Sequence, residues 1–305
     1  MTRLGILYGL EPELKTLIKL LGTVAILGMI APFTSAQWPA FAIRGVPRTA
    51  AGQPDLTAPT PRTLDGKPDL TGIWDNGRNT NIPRGGAASG ARGARGADFN
   101  TAPSPSAANP GPPNATFFNV GAGFSEGLPL QPWAAELVRK RIADNSKDNP
   151  DAHCLPMGFM QFHTHSQPRK IIQTPDVILI IYEANSGLRQ IFTDGRPLPG
   201  KDAEPWWYGY SVGRWEGDTL VVETTGFIEN IWLDVRGSPL TSAGKVTERF
   251  RRTNYGNLEI EITIDDPKAY TKPWTVKVNQ RAYPDTELIE FICEDRDATH
   301  YVGAQ

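Results

Sequence analysis

From Lys170 onward, apolar and polar positions alternate with a period of two, the signature of strands with one face buried and one wet. Leu258, Ile260, Ile262 and Ile264 interleave with Glu259, Glu261 and Thr263, and Trp274, Val276 and Val278 with Thr275, Lys277 and Asn279. The stretches "KIIQTPDVILIIYE" (two runs), "LRQIFTDGRPLPG", "DTLVVETTGF", "KVTERFRRT" and "ELIEFIC" add further strands, separated by turn residues such as Gly217-Asp218. Eight or nine short strands with no helices between them make an antiparallel sheet that must close or stack to hide its edges. A mostly β chain is predicted, folded as an antiparallel β-barrel or a strongly bent sheet. One packing helix is expected over Leu130–Asp144: Pro132 suits its first turn, Trp133, Leu137 and Val138 share a face, and Arg139, Lys140 and Arg141 suit its C-terminal end.

Upstream of that body the pattern changes twice. Lys15 and Lys19 precede the apolar run Leu20–Phe33, and Thr34-Ser35-Ala36 suits cleavage before Gln37. The run is shorter than the roughly 20 residues a membrane span needs, so residues 1–36 read as a cleaved signal and the mature chain as periplasmic or secreted, with no stable membrane insertion. Residues 37–76 form a Pro-rich extended segment in which Leu70, Ile73 and Trp74 could begin a first strand, and residues 77–115 are a low-complexity insert expected to be disordered. The body spans residues 116–305, and no internal repeat is expected.

Composition narrows the function classes. Lys plus Arg (31) nearly balances Asp plus Glu (33) and the basic residues do not gather into a stripe, which argues against a nucleic-acid partner. Two cysteines in an exported chain favour a Cys154–Cys293 bridge, with two buried thiols or a catalytic thiol as alternatives. No phosphate loop, nucleophile elbow, zinc-protease helix or Cys-x-x-Cys occurs, and no cofactor is expected.

Candidate chemistry lies in three places. His163 and His165, with His153 nearby, would put two imidazoles on one side of an extended segment, a metal pair lacking a third ligand fixed by spacing. Trp206, Trp207, Tyr208, Tyr210 and Trp215 could line a site for a flat or apolar ligand, with Arg196 and Arg249 reaching it, or could simply fill the core. Glu248 shares a strand face with Val246 and Phe250, so it is either paired inside or placed at a barrel mouth, where it and Tyr210 could serve acid–base catalysis. Asp194 and Asp265-Asp266 read as turn residues, the latter pair also able to hold calcium.

The phrases "DGKPDLTGIW", "KDNPDAHCLPMG", "GRWEGDTLVVETTGF", "VTERFRR", "DDPKAYTKPW" and "ICED" together resemble a family of exported bacterial proteins with no established reaction. The resemblance implies export and a mostly β body. The chain departs from that pattern at Gly209-Tyr210-Ser211, where relatives read "GHS", and at Pro239-Leu240-Thr241-Ser242, where they carry a His/Glu-bearing stretch similar to "PHSE". Gly72-Ile73-Trp74 is also similar to the opening of lipocalin-type barrels. Three readings follow: a binding protein for a hydrophobic or aromatic small molecule in a barrel cavity, a small hydrolase or isomerase, and an envelope scaffold. Oligomeric state is left open.

Overall fold

The computed structural model describes residues 42–76, 111–200, 202–291 and 293. The expected signal and most of the expected disordered insert lie outside them. Eleven strands occur among the described residues: β1 (Gly72–Asp75), β2 (Arg169–Gln173), β3 (Val177–Tyr182), β4 (Leu188–Phe192), β5 (Tyr210–Glu216), β6 (Thr219–Thr225), β7 (Ile231–Trp232), β8 (Pro239–Leu240), β9 (Lys245–Asn254), β10 (Asn257–Asp265) and β11 (Trp274–Ala282). Nine of them close a barrel in the order β1-β11-β10-β9-β6-β5-β4-β3-β2, and β7 and β8 form a separate small ribbon. Leu258, Ile260, Ile262 and Ile264 all face inward and are fully buried, as their alternation requires.

Three details differ from the expectation. The barrel is mixed, because β4 and β5 run parallel through Ile191↔Ser211 and Phe192↔Val212. Strands that run the same way cannot be joined by a tight turn, and residues 193–209 make the return crossing. The described residues of the "ELIEFIC" run form no strand. Barrel closure has already used every edge, so this segment crosses the outside, held by Ile289 N–H donating to Glu183 Oε2 at 3.0 Å and Ser186 Oγ donating to the Phe291 carbonyl at 3.0 Å. It ends at the Cys154–Cys293 disulfide (Cα–Cα 5.4 Å).

Among the described residues there are also two α-helices rather than one. α1 (Pro132–Ala143) starts at Pro132 as expected, but Trp133 lies on its exposed side and only Ala134 is fully buried. Arg141 attaches the helix, with its guanidinium 4.2 Å from the Trp232 ring and Nη1 donating to the Gly237 carbonyl at 2.6 Å. α2 (Phe159–Thr164) has all six residues buried and plugs one end of the barrel. No helix among the described residues is long and apolar enough to cross a membrane.

The Pro-rich arm closes the other end, and it contains a repeat that the hydrophobic pattern does not reveal. Pro47-Arg48-Thr49-x-x-Gly52-x-Pro54-Asp55-Leu56-Thr57 recurs as Pro61-Arg62-Thr63-x-x-Gly66-x-Pro68-Asp69-Leu70-Thr71. Both copies fold alike. Thr49 and Thr63 N–H donate to the carbonyls of Gln53 and Lys67 at 2.8 and 2.9 Å, and Asp55 and Asp69 N–H to those of Pro47 and Pro61 at 2.8 and 2.9 Å. Gly52 and Gly66 take φ of 76° and 80°, a region that favours glycine. Each arginine forks onto a body aspartate, Arg48 onto Asp285 and Arg62 onto Asp218 of the β5–β6 turn. Leu70 is buried, and Arg252 of β9 lies 4.7 Å over the Trp74 ring while donating to the Asp69 carbonyl. The end of the supposed insert, residues 111–115, is likewise docked: Lys277 N–H donates to the Pro113 carbonyl at 2.8 Å and Ala115 N–H to the Lys277 carbonyl at 2.9 Å.

Candidate functional site

Strand alternation points Arg189 of β4, Ser211 of β5, Thr224 of β6 and Glu248 of β9 into the barrel, where each is at most 1% exposed. β4 and β9 are not neighbours, so the Arg189–Glu248 pair crosses the interior instead of following a ladder. Arg189 Nη1 donates to Glu248 Oε1 at 3.0 Å and Nη2 to Oε2; Nη2 also reaches Ser211 Oγ at 3.1 Å and Thr224 Oγ1 at 3.0 Å. α2 supplies His163, whose Nε2 lies 2.9 Å from Glu248 Oε1.

Burial alone would push the Glu248 carboxyl up. The Arg189 charge and the hydrogen bonds from His163 and Arg189 outweigh it and hold the carboxyl down at about 2. Burial lowers His163 despite the opposing carboxylate. A carboxylate only accepts, so neutral His163 donates through Nε2 and leaves Nδ1 as a lone pair. On β2, directly opposite Tyr182, Arg169 donates to the carbonyls of His163, His165 and Gln167 at 2.9, 3.0 and 2.9 Å. Burial brings Arg169 down to about 10 and pushes the Tyr182 phenol up to about 12.

A second constellation stands outside the barrel, beside the parallel β4–β5 pair. The Arg196 guanidinium lies 3.9 Å over the Phe192 ring, Phe192 stacks on Tyr210 at 5.1 Å, and Tyr210 meets Trp206 at 5.0 Å. Arg196 Nη1 donates to Tyr210 Oη at 3.2 Å, and its Nε to Asp194 at 2.9 Å. Trp206 is 40% exposed. The chain enters β5 through Gly209 at φ 65°, where a Cβ would come within 2.6 Å of Thr224 Cγ2, so the platform is fixed to the strand at a position only glycine fits.

The structure thus joins some candidates and separates others. Arg196 and Tyr210 come together. Trp207 and Tyr208 are half-buried against the core, and Trp206 supplies the exposed indole instead. Trp215 packs inward at the far end of β5, and Arg249 lies outside near that same end, donating to Glu216 Oε2 at 3.1 Å; neither reaches Tyr210. Glu248 and Tyr210 stand on opposite sides of the barrel wall, so they form no acid–base pair. Because residues 159–164 are helical rather than extended, His163 turns inward while His165 sits edge-on to Phe117 at 4.8 Å. Among the described residues no three His, Cys, Asp or Glu side chains gather as a metal-ligand set. Asp266 is a buried cap that accepts from the Thr241 N–H at 2.7 Å.

Arg189, Tyr182 and Phe192 were not legible as site residues. The available signal was that Arg189 shares a strand face with Ile191, just as Glu248 does with Val246 and Phe250: two opposite charges on apolar faces. Comparison of the chain with protein-family models, curated proteins and solved structures gives no match.

Proposed function

We propose that the chain is an exported, non-catalytic binding protein that takes a flat, aromatic or apolar-faced small molecule. The observation that carries this reading is the partly exposed stack of Arg196, Phe192, Tyr210 and Trp206. Aromatic faces offer large contact area with few bonds to freeze, and loops at one end of a rigid sheet are where binding residues concentrate. The ligand adds its face to the stack, and Arg196 and the Tyr210 hydroxyl give direction. The disulfide supports export, as does the resemblance to exported proteins, whose phrases fall on β1, the loop before α2, the β5–β6 hairpin, β9 and the turn into β11.

The acid–base reading has less support, since Glu248 is held ionised far below neutrality and is closed off from solvent. The scaffold reading is favoured by one observation, the closed interior. The test is native mass spectrometry and Trp fluorescence on protein purified from its own envelope fraction. A small molecule should be retained or captured from extract by wild type and weakened at least tenfold by Trp206→Ala. Equal capture by both would place binding elsewhere, and no capture by wild type would favour the scaffold.

A further inference from the structure

The seat of α2 carries an unusual concentration of unmet hydrogen-bonding capacity. Among the described residues eight buried side-chain atoms have unmet hydrogen-bonding capacity, and four belong to α2 or to residues it touches: Gln161 Oε1, His163 Nδ1, Arg169 Nε and Tyr182 Oη. Buried polar atoms in folded proteins are nearly all satisfied, and each orphan penalises the state that buries it. α2 takes part in no strand pairing. It is held by its rings, with Phe162 on Tyr182 at 4.3 Å and Phe159 on Phe227 at 5.7 Å, and by hydrogen bonds that include His163 to Glu248. Lifting it would leave every ladder of the barrel intact.

What it covers is chemically defined. Arg169 and Tyr182 are directly opposed across β2 and β3, and each presents an unused donor. The Tyr182 oxygen lies against the Arg189 guanidinium, which can only donate to it, so the Tyr182 O–H is left with no acceptor. Two guanidinium groups therefore flank this spot, while Glu248 is already engaged by one of them. The surrounding wall is apolar: Ile171, Ile180, Val246 and Phe250.

We propose that α2 is a lid, and that the barrel interior beneath it is a second binding site, for a small molecule with an apolar body and one carboxylate, the acid accepting hydrogen bonds from Arg169 Nε and Tyr182 Oη. The site is independent of the outer platform. Lid opening breaks the His163–Glu248 bond and the bonds of Arg169 to the His163 carbonyl and of Gln161 to the Trp232 and Asp234 carbonyls, and ligand entry engages the two wall donors that the closed state leaves idle. The Cys154–Cys293 bridge anchors the chain just ahead of the lid, so it sets how far α2 can travel.

The experiment uses the full mature chain, with benzoate as probe and benzyl alcohol as the uncharged control. Benzoate should raise Tm along a single saturable curve, and benzyl alcohol should not. Tyr182→Phe removes a single hydroxyl, so it should fold with little change in Tm yet bind benzoate at least tenfold more weakly. Amide exchange across residues 158–166 should exceed that of β10 and slow with benzoate. The proposal is overturned if benzoate has no saturable effect with the disulfide intact or reduced, if benzyl alcohol acts equally, or if Tyr182→Phe responds like wild type.

Discussion

Arg189 and Glu248 meet across the barrel interior, from strands separated by β5 and β6, and each is shut off from water. A buried pair of this kind contributes little net stability, but breaking it leaves an uncompensated charge. Glu248→Leu and Arg189→Met should each cost on the order of 3–5 kcal/mol in urea unfolding. The double variant Arg189→Met/Glu248→Leu should cost clearly less than the sum. Additive losses would show that the two side chains act separately.

Acid should unfold the protein in two windows. Burial, then the Arg169 charge, hold His165 down to about 4 against an ordinary value near 6.5. A depressed folded-state pKa means that the unfolded chain binds more protons, so this contribution is complete above pH ~6.5 and is lost as pH falls toward 4. Glu248 follows between its ordinary value near 4.5 and about 2. Each group can contribute a slope of about 1.4 kcal/mol per pH unit. Urea midpoints at pH 7.5, 5.5 and 3.5 should fall in that order, and His165→Gln should flatten the first interval.

The two arm forks are geometrically alike but unequally placed. Arg48–Asp285 has side-chain exposures of 26% and 19%, against 48% and 62% for Arg62–Asp218. Screening by water leaves the wetter pair worth little. Arg48→Ala should therefore lower Tm more than Arg62→Ala, and 0.5 M salt should shrink the difference between Arg62→Ala and wild type first.

The disulfide closes a sequence separation of 139 residues, for which chain entropy gives about 5 kcal/mol. Reduction, or the Cys154→Ala/Cys293→Ala variant, should lower Tm substantially. Two freely alkylated thiols in unreduced, exported protein would contradict the bridge.

The sequence carried the barrel because Leu258–Ile264 and Trp274–Val278 each bury one face, and period-two alternation records burial directly. It did not carry the parallel β4–β5 pair, which depends on how residues 193–209 return and not on any local pattern. Glu248 was recognisable as a charge on an apolar face, but its partner lies 59 positions earlier and across the lumen, where no spacing rule reaches. The His163-Thr164-His165 alternation suggests an extended segment because six residues of buried helix, apolar on several sides, carry the same pattern as a strand. The 14-residue repeat of the arm was legible by aligning the chain with itself, but hydrophobic periodicity is blind to it.

The parallel contact also bears on how the molecule assembles. From β5 to β11 neighbours in the chain are mostly neighbours in space, and the same holds from β2 to β4, so both arcs can form from short-range encounters. The β4–β5 contact joins them through two residue pairs only, after a crossing that gains little until both arcs exist. It should be among the last joints to zip and the first to breathe. Trp206 and Tyr210 lie beside it, so the fluorescence of that platform should report the joining of these two arcs, later than the burial of Trp274 on β11.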